Sequence, residues 1–277
     1  LHDRRLGLVG EDGIAVTQRK IPGLALVKGE VRDETVWLHN TATGAKASFR
    51  VGQHSEMRAQ VRVWDSVIEA PIVSNELNDW ISREIGVSAR LLYMTEEVHR
   101  PISHWYQTDS YTNIVGFADG HQYLLATQAS LDEVSRQAGQ EIEMDRFRPN
   151  IVVPGTTPFA EDNWKEIEIA GVRFVQTKPC TRCSVTLIDQ QTGQKGKEPL
   201  RTLSQIHANA KGMALFGVYY KVAPSFAGRE IRVGDARIGR KQSLKAYDEL
   251  LAERIRHILR QKEAPFTDRK MMSGIMF

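Results

Sequence analysis

The chain's two cysteines, Cys180 and Cys183, stand in Pro179-Cys180-Thr181-Arg182-Cys183, with Lys178 just upstream. Cations beside a thiol favour the thiolate, which is both the nucleophile and the metal-binding form. Four chemistries suit such a pair. A structural zinc site needs two further ligands, usually a second close Cys/His pair; there is no third cysteine, and the eight histidines are scattered. A thioredoxin-type redox pair expects its first cysteine to open a helix, whereas Ser184-Val185-Thr186-Leu187-Ile188 reads as a continuing strand. The pair could instead be small, inert core residues. Finally, one cysteine could be the soft ligand of a metal cofactor whose anionic part is held by nearby basic residues. Spacing alone leaves all four open.

The elements that must position these thiols follow from the chain's punctuation. Leu6 to Val9 and Ile14 to Thr17 flank Glu11-Asp12-Gly13 as a hairpin. Strands are predicted over Leu24 to Val31, Thr35 to His39, Ala47 to Val51 and Gln60 to Trp64, with a turn at Asn40 to Gly44. Ser74 caps a helix through Ile85, with Leu77, Trp80, Ile81 and Ile85 on one face, and Gly86 ends it. Leu91 to Met94 is a strand leading into a polar loop, Thr95 to Thr112. A helix near Leu131 to Gln137 starts at Ser130 or Asp132. Further strands are Ile151 to Val153, Trp164 to Ile169, Val172 to Thr177, Ser184 to Ile188, Leu215 to Val222 and Glu230 to Val233. Turns fall at Ala170-Gly171, Thr192-Gly193 and Val233 to Asp235. From Leu244 to Leu259 an apolar helical stripe runs opposite charges. These elements make a β-rich α+β protein with a C-terminal helix.

Composition narrows the function. With 277 residues, 41% hydrophobic and 26% charged, the chain is that of a globular protein with ample core. A net charge of +3 is small for this length and argues against a dedicated nucleic-acid binder, while allowing a local basic pocket for an anion. No apolar run approaches the roughly 20 residues of a membrane span. Two close cysteines make no disulfide framework, so a cytoplasmic, reducing setting is expected. The chain opens Leu1-His2-Asp3 without an initiator Met or a signal-like run, which suggests a trimmed start.

Several segments, in order, are similar to one family. They are Phe147-Arg148-Pro149-Asn150-Ile151-Val152-Val153, Ala160-Glu161-Asp162-Asn163-Trp164, Lys178 to Cys183, and Lys197-Glu198-Pro199-Leu200-Arg201-Thr202-Leu203. Gly116 to Gly120, Leu124 to Leu131, Leu215 to Tyr219 and Ile231 to Asp235 extend the likeness, as do Asp3-Arg4-Arg5 and Thr17 to Pro22. Over about residues 1 to 240 the chain resembles the MOSC family, within it most closely the mitochondrial amidoxime-reducing components and the bacterial YcbX-type proteins. The resemblance implies a MOSC N-terminal β-barrel-like domain over 1–90, a MOSC β-barrel domain over 91–240, and a C-terminal helix and tail over 241–277.

It further implies a molybdenum cofactor (Mo-molybdopterin) ligated by the second cysteine of the pair, Cys183, with Cys180 as its neighbour. Arg148 and Asn150 are expected to contact the cofactor, with Asp119, Gly120 and His121 lining the same pocket. Arg182 would add charge, Arg4 would reach in from the N-terminal domain, and Tyr219 would lie close to the metal. The plainer alternatives are interdomain ion pairs for Arg4 and Arg148, a turn residue at Asn150 and a core aromatic at Tyr219. His99, His104, Trp105 and Tyr106 are further pocket candidates. Relatives place a strand with a Pro-Val-Lys-Ser-like motif before the point where this chain begins. Some append a four-cysteine ferredoxin that this chain lacks, so electrons are expected from a separate reductase or ferredoxin-like partner. The implied activity is reduction of N-hydroxylated compounds; the alternative is a cofactor carrier or sulfur-transfer protein.

Overall fold

The computed structural model describes residues 4–102, 107, 113–226 and 228–235, and the backbone of short strands at 239–241, 269–271 and 274–276. The helix expected over 244–259 lies outside these residues, as do His104, Trp105 and Tyr106. Among the described residues no helix is long and apolar enough to cross a membrane.

In the N-terminal portion, β1 (Leu6–Gly10) pairs antiparallel with β7 (Ala89–Tyr93). Side chains alternate across a strand. Leu8 and Leu91 therefore join one core with Val36, Leu38, Phe49, Leu77, Trp80 and Ile81, while Val9 and Leu92 join another with Val61, Ala70, Ile72 and Met94. A three-stranded sheet of β2 (Val27–Arg32), β3 (Thr35–Asn40) and β4 (Lys46–Arg50) supplies the first core. A hairpin of β5 (Arg58–Val63) and β6 (Ser66–Pro71) supplies the second. Helix α1 (Asn75–Ile85) closes the first core. Ser74 Oγ accepts from Leu77 N at 3.2 Å, and Gly86 stops the helix with φ of 74°.

A six-stranded sheet organises the second portion. Its spatial order is β13 (Gly239–Lys241), β10 (Glu166–Ile169), β11 (Val172–Thr181), β12 (Leu215–Val222), β8 (Tyr123–Thr127) and β9 (Ile151–Val153). All neighbours are antiparallel except β8 and β9. One face packs Leu125, Phe174, Val218 and Tyr220. The other packs Ala126, Phe147 and Phe216 against α2 (Gln128–Ala138) and α3 (Leu200–Ile206).

Phe216 and Val218 would share a face in a regular strand, yet they serve opposite cores. Gly217 makes the switch with φ of 72°, and a Cβ there would lie 2.7 Å from Leu125 O. The facing strand β11 shifts register at Gln176/Lys178 and again at Pro179/Thr181. This irregular stretch delivers Cys180 into the interior, 1% exposed, and leaves Cys183 half-buried.

Five expectations are corrected. Ser184–Leu187 is a short 3-10 helix, not a strand; Thr186 Oγ1 donates to Cys183 O at 2.9 Å, and this hydroxyl bond competes with extension. Ile14 to Thr17 makes only single bridges, from Ala15 to Val9 and from Ile14 to Arg62. Pro22–Leu26 is 3-10 before β2 begins, with the proline in its first turn. Among the described residues Glu230 to Val233 has no ladder partner, and Arg232 N bonds Asp235 Oδ2 at 2.7 Å. Helix α2 starts before the expected Ser130 or Asp132: its cap is Thr127, whose Oγ1 accepts from Ser130 N. Thr127 and Ser130 also bond the fully buried Glu161. The Ala160–Asn163 turn is thus a polar knot under the sheet.

Candidate functional site

The two portions meet around a cavity of about 570 Å³. Arg4, Arg19, Lys20, Arg62, Arg148 and Arg182 line it against a single carboxylate, Asp119, and Cys183 opens onto the same space. Six cations against one acid make this an anion-attracting concavity, despite a net charge of only +3.

Backbone geometry brings the arginines in. Arg4 (φ 58°) and Arg148 (φ 54°) both hold left-handed conformations. Phe117 N donates to Arg4 O at 2.7 Å, and a Cβ on Gly116 would collide with that oxygen. Arg4 Nη2 then donates to Arg148 O at 2.9 Å, joining the two portions. Buried Arg100 donates to Gly116 O and Ala118 O, and so fixes the segment leading to Asp119. Strain of this kind, held by tertiary contacts, collects at functional sites.

Around the sulfurs, Arg182 Nη1 donates to Cys180 Sγ at 2.8 Å and Nη2 to Phe147 O at 2.8 Å, while its Nε is buried without a partner. Cys183 Sγ accepts from Arg19 Nη2 at 3.2 Å. That guanidinium also bonds Asp119 Oδ2 at 2.9 Å and lies over the Trp64 ring, 4.6 Å from its centroid. Trp64 Nε1 donates in turn to Asp119 Oδ1 at 3.3 Å. Burial opposes the charge on Arg19, but Asp119 and Cys183 outweigh it and hold its pKa above the ordinary value.

Across the cavity, His121 stacks on Tyr219 with ring centroids 4.4 Å apart. Burial, with Lys178 adding to it, pulls the His121 pKa down to about 4, so the ring is neutral near pH 7. Thr177 Oγ1 lies within hydrogen-bond distance of both Tyr219 O, at 3.1 Å, and His121 Nδ1, at 3.2 Å. The hydroxyl thus links the imidazole to the backbone of β12. Burial, then Cys180, raises the Tyr219 phenol well above its usual range, so it keeps its proton.

Of the residues expected from sequence, Arg4, Asp119, His121, Arg148, Arg182, Cys183 and Tyr219 line this one cavity. Gly120 and Asn150 lie outside its lining. Asn150 Oδ1 accepts from Leu124 N at 2.9 Å, and Asn150 N donates to Leu124 O at 2.8 Å, which clamps the Arg148 loop to β8. His99 is exposed and also outside the lining. Sequence reasoning gives no role to Arg19 or Trp64, although Arg19 lies inside the Thr17 to Pro22 motif. Its contact with Cys183 spans 164 positions, and no local pattern signals it.

The profile of the MOSC N-terminal beta barrel domain matches residues 1–88, and that of the MOSC domain matches residues 112–237. The chain belongs to the MOSC family. A molybdenum cofactor sulfurase of Anopheles gambiae is 29% identical over 84% of the chain and 32% of its own length. Molybdenum cofactor sulfurase 3 of Aedes aegypti is 30% identical over 79% of the chain and 30% of its own length. The chain thus spans about a third of these curated relatives. A solution structure from Bordetella bronchiseptica overlaps 34% of the chain at 20% identity, with a TM-score of 0.30.

The donor set of this MOSC chain suits a large anionic ligand that brings its own metal. Its cavity falls within the roughly 300–1,000 Å³ usual for cofactor sites. Among the described residues no three His, Cys, Asp or Glu side chains gather into a metal cage. Cys183 would thus be the sulfur that this chain offers to a metal carried by such a ligand, with the cations of the lining around it.

Proposed function

We propose that the cavity takes up a molybdenum–pterin cofactor with Cys183 as the protein's sulfur ligand, and that the chain reduces N-hydroxylated compounds to amines or amidines. The observation that carries this is convergence: six cationic side chains and one half-buried thiol share a single cavity. When bound, the cofactor supplies the two-electron chemistry that removes oxygen from an N–OH group.

The chain's own residues bind, orient and manage protons. The guanidiniums of Arg4 and Arg148 suit the cofactor's phosphate, Arg182, held on Cys180 Sγ and Phe147 O, adds charge at that end, and Cys183 is the soft ligand. Neutral His121 has one ring nitrogen able to accept a proton, while Tyr219 keeps its own proton. Reduction of R–NHOH to R–NH₂ and water consumes two protons and two electrons, and the electrons would come from a separate reductase or ferredoxin-like partner.

A second reading, that of a sulfur-transfer or cofactor-carrying protein, is favoured by the sulfurase names of the relatives. Molybdenum analysis of protein purified from a cofactor-competent host, alongside benzamidoxime reduction with reduced methyl viologen, separates the two. Near-stoichiometric metal with turnover supports the reductase. Metal without turnover supports the carrier, and absence of metal overturns both.

A further inference from the structure

The sulfur of Cys183 has an outer partner supplied by the other portion of the chain. Arg19 comes from the N-terminal portion, and its guanidinium is held on two sides, by the Asp119 carboxylate and by the Trp64 ring. Its side chain is 23% exposed while that of Asp119 is 56% exposed, so the cation is the more sheltered member of the pair. From that seat Nη2 also reaches Cys183 Sγ at 3.2 Å. Arg62 lines the same cavity, yet among the described residues the guanidinium that donates to this sulfur is that of Arg19.

We propose that Arg19 is the positioning residue of Cys183, clamped by Asp119 and Trp64 so that its guanidinium orients the sulfur and biases this end of the cavity toward anionic partners. A thiolate keeps lone pairs after one of them is given to a metal, so an N–H donor at this distance stays useful in the loaded site. Outer partners of this kind fix the orientation of a ligating side chain. Planarity matters as well: a guanidinium can stack on an indole while its edge donates to both oxygen and sulfur, and a lysine ammonium cannot. The inference rests on the preceding reading only in taking Cys183 as the working sulfur.

The test needs neither metal nor turnover. Cys183 in the cofactor-free chain is alkylated in parallel with iodoacetate, which is anionic, and iodoacetamide, which is neutral, at one pH and low ionic strength. Peptide-resolved mass spectrometry follows the thioether formed as iodide leaves. The ratio of the two rates cancels the thiolate fraction and the general accessibility of the sulfur, leaving the charge beside it. Buried Cys180 serves as the control for folding.

Arg19→Gln is expected to lower the iodoacetate-to-iodoacetamide ratio about fivefold, the effect of removing one unit charge about 4 Å away in water. Trp64→Ala, which changes no charge, should lower it part of the way by freeing the guanidinium. Arg62→Gln removes the same charge from another lining residue and should lower the ratio clearly less than Arg19→Gln does. An unchanged ratio in Arg19→Gln, or an equal fall in Arg62→Gln, overturns the proposal. If Arg19→Gln exposes Cys180, Trp64→Ala becomes the deciding variant, and an unchanged ratio there counts equally against the proposal. Molybdenum-loaded protein with no ratio change loses this inference and keeps the cofactor. The expected ratio in protein that never takes up molybdenum does the reverse.

Discussion

His121 ties the cavity to the stability of the protein through one proton. The ring is 8% exposed and stacked on Tyr219, and its pKa falls from 6.5 to about 4. Between those values the unfolded chain binds a proton that the folded chain refuses, so stability rises with pH across the window. The contribution is intact above about pH 6.5 and is lost as pH falls toward 4. The whole shift corresponds to about 3 kcal/mol, of which about 2 kcal/mol is already lost at about pH 5. His121→Gln keeps a polar side chain and cannot titrate. Urea unfolding of both proteins at about pH 7.5 and pH 5 should show the wild type losing about 2 kcal/mol more than the variant. The constant cost of the substitution cancels in that double difference, as do the other titrating groups. A double difference below about 0.5 kcal/mol, or an imidazole titrating near its ordinary value by NMR, would refute the claim that burial against Tyr219 and beside Lys178 keeps this ring neutral.

Three other outcomes are expected. Cys183→Ser should abolish molybdenum retention, whereas Cys180→Ser should keep metal and lose stability by about 1 kcal/mol through the contact from Arg182; the reverse pattern would transfer the ligand role to Cys180. Gly217→Ala should cost about 3 kcal/mol in thermal or urea unfolding, because it combines φ of 72° with a Cβ meeting Leu125 O. His207 Nε2 lies 2.7 Å from Asp162 Oδ2, and although burial works against it, Asp162 raises its pKa. That stability is fully present below the unfolded value of 6.5 and is lost as pH rises through the folded value. Asp162→Asn should therefore cost about 2 kcal/mol at low pH and progressively less in alkali, and a cost that is flat with pH would sink the assignment.

The parts legible in the chain alone are those that neighbours within a few residues decide. Helix α1 is readable from end to end, because Ser74, the apolar spacing and Gly86 are all local instructions. Strand β12 is readable for the same reason, as an apolar run between breaks. The ordered motifs, taken with the resemblance they carry, also name seven of the side chains that meet in the cavity. What they do not show is how those side chains meet. Gly217 looks like any strand glycine until its φ and the carbonyl of Leu125 make it the point where β12 changes faces. Ser184 to Ile188 carries strand-forming residues, yet it turns because Cys183 O finds the Thr186 hydroxyl and amide nearby; β-propensity yields to such contacts. In the sequence Arg19 is one basic residue of the Thr17 to Pro22 motif, with nothing to tie it to Cys183. Its hold on Cys183 depends on two distant segments packing so that a carboxylate, an indole and a sulfur surround one guanidinium. Caps and periodicity act over a turn or two of chain, whereas electrostatic convergence acts through space, and only the folded chain decides which residues share that space.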